Sequence, residues 1–122
     1  MLNPLSLAIV AGIVVASPVA ACVARRFVGE AQPEGQPAFP VVVTVNCKEG
    51  AVSGQVESQF GTNPIIGGQS EEARLAIEID QDGFKISLSA ERSGSAWRGR
   101  FAAGPRNGTL ELFPIRPPVT QT

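Results

Sequence analysis

Arg98 and Arg100 flank Gly99. On an extended strand that spacing projects both guanidiniums from one face. Two guanidiniums with hydroxyls beside them can seat a carboxylate or a phosphate. Ser87 and Ser89 supply the hydroxyls if the preceding strand folds back on this one, and Glu111 then falls opposite Arg100. The competing reading is a solvated face with one cross-strand ion pair, worth a few tenths of a kcal/mol. Trp97 alternates inward and is read as a core anchor, or as part of an apolar ligand pocket shared with Phe60. Glu78, Asp80 and Asp82 precede Gly83 with the spacing of a calcium loop. The twelfth place would be Ser89 and the flanks are strand-like, so Asp and Gly read as a turn. Asn107-Gly108-Thr109 fits a glycosylation sequon and equally a hairpin turn. The sequence contains no histidine and two cysteines. No nucleophile therefore has the usual imidazole base, and the cysteines are too few for a common structural zinc site. No Gly-rich phosphate loop is present. No catalytic residue, metal site or cofactor is expected, and the chain reads as a non-enzyme.

The remaining chemistry sits at Cys22. From Leu5 to Ala24 the sequence has no charged residue, and Arg25 and Arg26 follow. A helix of twenty residues is about 30 Å long, matching the hydrocarbon core of a bilayer. Val19-Ala20-Ala21-Cys22 resembles a bacterial lipobox, which implies cleavage before Cys22 and lipidation of its thiol. Two other outcomes stay open. An uncleaved helix with Arg25 and Arg26 on the cytoplasmic side would leave the following domain in the cytoplasm. Ordinary cleavage at small residues near Ala21 or Ala24 would release a soluble domain. Cys22 and Cys47 are not expected to pair, because Cys22 borders the apolar run and Cys47 reads as a small buried hydrophobe on a strand.

The elements that would carry these residues follow from the spacing of apolar positions. Residues 1–27 read as signal peptide or membrane-anchor helix, and 28–38, rich in Pro, Gly and Gln, as a flexible linker. Residues 39–116 read as an antiparallel β domain, and 117–122 as a disordered tail. Six segments alternate with period two: Phe39–Cys47, Val52–Phe60, Arg74–Ile79, Phe84–Arg92, Ala96–Ala103 and Thr109–Ile115. The stretch Gly61–Glu72 stays uncommitted between them. Registers follow from keeping apolar side chains on one face. They pair Cys47 with Val52, Ile77 with Ile86, Ala90 with Trp97 and Phe101 with Leu110. The inner face is then Val43, Val45, Val56, Leu75, Ile77, Ile79, Phe84, Ile86, Leu88, Trp97, Phe101, Leu110 and Leu112. Such a sheet must close as a barrel or fold as a sandwich to bury that face. The fold expected is therefore an all-β, six-stranded antiparallel meander.

Ten basic residues against eleven acidic ones give a formal charge of −1, which argues against a nucleic-acid partner. The reading that results is an envelope-associated small β domain of structural or protein-interaction type. It is tethered to the membrane through Cys22 or its N-terminal segment, and binds a partner protein by strand addition at a free sheet edge. The alternatives are a small-ligand-binding barrel, or a single-pass subunit of a larger membrane complex.

Overall fold

The computed structural model describes residues 22–116. The apolar stretch before Cys22 and the tail from residue 117 onward lie outside those residues, and with them most of the expected anchor helix. Among the described residues eight strands form: β1 (Arg25–Pro33), β2 (Phe39–Lys48), β3 (Ala51–Ser58), β4 (Gly61–Ser70), β5 (Arg74–Gln81), β6 (Phe84–Ser93), β7 (Ala96–Ala103) and β8 (Arg106–Pro114). Each pairs antiparallel with the next, and β8 returns to pair with β1, where Gly29 faces Leu112 and Ala31 faces Leu110. The result is a closed up-and-down barrel, which leaves no sheet edge among the described strands. The all-β antiparallel architecture follows from the period-two pattern. The strand number is corrected from six to eight.

The two additional strands lie where composition pointed to loops. β1 takes Arg25–Phe27 from the expected anchor-helix segment, which is strand and not helix there, and residues 28–33 from the expected linker, which shrinks to the turn residues after Pro33. It alternates Phe27 and Ala31 inward against Val28 and Glu30 outward. Its Pro and Gly content hides that alternation, and both residues are tolerated here because of where they stand. Pro33 ends the strand, and Gly29 packs on the backbone of Glu111, where a Cβ would clash. In β4 the register against β5 shifts between Ile65 and Gly67. The bulge places an extra residue, Ile66, outside and returns Gly68 and Ser70 to the inner face. A bulge breaks strict alternation, so the sequence pattern fails across it.

Turns account for the register differences. The β2–β3 hairpin has Cys47 opposite Val52 and Val43 opposite Val56, as expected. The β5–β6, β6–β7 and β7–β8 hairpins keep their faces, but each partner moves by two residues. Ile77 faces Leu88, Ala90 faces Gly99, and Phe101 faces Gly108. The reason is two-residue loops with positive φ at the first central residue. Asp82 and Gly83 stand at φ 54° and 86°, and Gly94 and Gly104 each at 65°. Such turns match the right-handed twist of a strand pair, whereas type I and II turns splay it.

Phe27, Val43, Val45, Leu75, Ile77, Trp97 and Leu112 are almost fully buried and fill one half of the barrel. Of the expected inner face, Phe84 alone lies well exposed, at 59%, because its strand position falls on the barrel rim. Phe27, Ala31, Val41, Ile65 and Ala90 join the core in addition. Interior glycines let the small barrel coil tightly. A Cβ on Gly99 would meet the Ser89 carbonyl oxygen, with the Ala90 Cα 2.6 Å away.

Candidate functional site: an open aromatic mouth above a sealed base

The two ends of the barrel differ. At the base the Arg25 guanidinium lies 4.7 Å over the Trp97 ring, a stacking favoured by the ring's negative face. The same guanidinium donates to the carbonyl oxygens of Glu71 at 3.0 Å and Glu72 at 2.7 Å. The β4–β5 loop is thereby drawn across the opening. The Arg25 and Arg26 Nε atoms are buried without a partner among the described residues. Below the guanidinium, Phe27 packs edge-on against Trp97 with centroids 5.2 Å apart. The chain entering β1 is pinned as well. The Val23 N–H donates to the Ser70 carbonyl at 3.0 Å, and the Ser70 hydroxyl to the Val23 carbonyl at 2.6 Å.

A disulfide joins Cys22 to Cys47 at this same end. That corrects two expectations. Cys22 has no free thiol to carry a lipid, and Cys47 is an exposed strand-end residue rather than a buried hydrophobe. The spacing of apolar residues does not reveal this pairing, because Arg25–Phe27 fall in the expected anchor segment and residues 28–33 in the expected linker. Once β1 lies beside β2, with Arg25 opposite Val45, the residues just before β1 reach the end of β2.

At the other end the barrel is open. Ile79, Leu88, Leu110 and Ala31 line a cavity of about 90 Å³, with Val41 and Val56 on its wall. It widens past Phe39, Phe60, Ile86 and Phe101 into a bowl of about 370 Å³ bordered by the β1–β2 loop and Arg106. Phe39 and Phe60 meet edge to face at 5.0 Å. Phe60 is 60% exposed. The polar groups lining the throat are the side chains of Ser58, Asn63 and Gln81. An eight-stranded barrel has an interior just wide enough for packed side chains or one small ligand; this one is packed at the base and hollow at the mouth.

The residues singled out from sequence are distributed otherwise. Trp97 and Phe60 stand at opposite ends, so they do not share a pocket. Trp97 is 1% exposed beneath Arg25 and serves as a core anchor. The observed register sets Arg98 between Glu91 and Glu111, with a 3.1 Å ion pair to Glu111 on an exposed face. Arg100 faces Ser89 and Thr109 instead. One arginine of the expected anion seat is therefore occupied by carboxylate. The Asp80 carboxylate accepts the Gly83 N–H at 3.4 Å, as a turn residue does, and no cluster of metal-ligating side chains occurs among the described residues. Asn107 is exposed, and its carbonyl accepts the Glu34 N–H at 2.9 Å. No helix among the described residues is long and apolar enough to cross a membrane.

No protein-family model matches this chain, and no curated protein matches its sequence. The site's own geometry is what bears on function.

Proposed function

We propose that this chain is a non-enzymatic binding barrel of the bacterial cell envelope, and that its open mouth takes a small ligand with an apolar end. The observation that carries this reading is the apolar cavity opening through a ring of Phe39, Phe60 and Phe101 into an open bowl. Binding sites are typically concave, mostly apolar and supplied with a few polar groups that fix orientation. The disulfide supports placement in an oxidising compartment, because cytosolic thiols are kept reduced. Cys22 lies at the sealed base, so a membrane tether preceding it would leave the mouth facing outward. Exposed Phe60 and Phe84 on the rim support a second reading, in which the apolar group entering the mouth belongs to a partner protein. Strand addition is not that partner's mode, since the barrel closes on itself.

Titration with N-phenyl-1-naphthylamine, whose fluorescence rises in apolar surroundings, tests the reading. Wild type should give saturable 1:1 enhancement. Ala31→Leu, which adds an isopropyl group to the cavity wall, should abolish it while leaving the fold intact by circular dichroism. Equal enhancement in both proteins, or none in wild type, would refute a ligand-taking mouth.

A further inference from the structure

We infer that the mouth selects an uncharged amphiphile: a short apolar tail or single ring in the throat, with a hydroxyl or amide head among side-chain amides. This rests on the binding reading above. The polar groups around the space are a hydroxyl and amides: Ser58, Asn63 and Gln81 at the throat, Gln36 and Gln59 in the bowl. Asn63 and Gln81 are half-buried, and neither side chain is hydrogen-bonded to another described residue, whereas the Gln55 amide is engaged by Glu57. Each free amide offers both donors and an acceptor, which matches a hydroxyl or carboxamide head. Among the described residues Arg106 is the one charged side chain lining the bowl, on its exposed margin and away from the throat. A carboxylate drawn to the level of Gln81 would lose water with no cation to meet it, and an ammonium would find no anion. Tail length is bounded as well. The throat ends against Leu88 and Leu110, and the half of the barrel beyond is filled by Phe27, Trp97 and Leu112.

A matched series separates this inference from the reading it rests on. Hexan-1-ol, hexanamide, hexanoate and hexylammonium share one tail and differ in head charge. Displacement of the naphthyl dye at pH 7 should rank the alcohol and amide at least tenfold tighter than either ion. In ¹H–¹⁵N spectra the side-chain amide signals of Asn63 and Gln81 should shift with hexanamide. Gln81→Leu should weaken hexanamide several-fold, and Gln81→Glu should reverse the order in favour of hexylammonium. Hexanoate binding as tightly as hexanamide would overturn the inference and leave the binding reading standing. So would dye binding that none of the four compounds displaces. Failure of the dye itself in wild type would sink both.

Discussion

Breaking the Cys22–Cys47 bridge should cost this protein a large share of its stability without changing its architecture. The cysteines are 25 residues apart. The chain-entropy relation for a loop of that length gives about 3.5 kcal/mol at 25 °C. Domains of this size unfold with about 5–15 kcal/mol, so the barrel should still fold, with a lower margin. A change of 1 kcal/mol moves the melting temperature of such a domain by about 4–8 °C, and a fall of about 15–25 °C is expected. The mechanism acts largely on the unfolded chain, which gains freedom between β2 and the residues before β1. The folded state adds a second effect, because the bridge holds Cys22 beside the Val23–Ser70 hydrogen bonds that close the base. Cys47 is exposed and Cys22 half-buried, so dithiothreitol should reach the bridge without prior unfolding. Thermal melts of the disulfide-bonded protein with and without reductant, beside the Cys22→Ser/Cys47→Ser variant, measure the effect. Intact mass of the same preparation counts the free thiols. A shift below about 3 °C would refute the argument, as would a mass showing an acyl group on Cys22.

Other consequences of the packing are open to direct measurement. Trp97→Ala removes the ring between Arg25 and Phe27 and should destabilise the fold by about 3–5 kcal/mol in urea unfolding. Gly99→Ala should cost at least about 2 kcal/mol, because its Cβ meets the β6 backbone. Gly67→Ala, with nothing within 4 Å, is the control and should stay within about 0.5 kcal/mol. Equal effects at the two glycines would show that close strand approach is not what Gly99 provides. Glu111→Gln should change stability by no more than about 0.5 kcal/mol, since Arg98 and Glu111 are 66% and 46% exposed and their attraction is screened.

What could be read from the sequence was the property of side chains that a strand repeats every second residue. Leu75, Ile77 and Ile79 face the core as their spacing requires, and the hairpins keep their faces even where the pairing slides. The slide itself was not legible from hydrophobicity, because moving a partner by two residues leaves every side chain on the same side. Only the φ preferences of the Asp82-Gly83, Gly94-Ser95 and Gly104-Pro105 turns separate the alternatives. β1 and β4 escaped because Gly29, Pro33, Gly67 and Gly68 carry no apolar signal yet serve close approach, strand ending and a bulge. The mouth was half visible. Phe60 was recognised as a possible lining residue, but the ring it forms with Phe39 and Phe101 joins three separate hairpins. The partnership of Cys22 and Cys47 depended on β1, and was lost with it.

The seam between β1 and β8 sets the order in which the molecule can assemble. Its pairs, such as Gly29 with Leu112, join the first and last of the described strands, while every other strand pairing among the described residues is between sequence neighbours. Local hairpins can form as soon as their turns exist, but closure must wait for the final strand and overcome the largest loop entropy. Until then β1 and β7 each present unpaired backbone, so a chain cut short before Arg106 is an aggregation hazard rather than a weaker barrel.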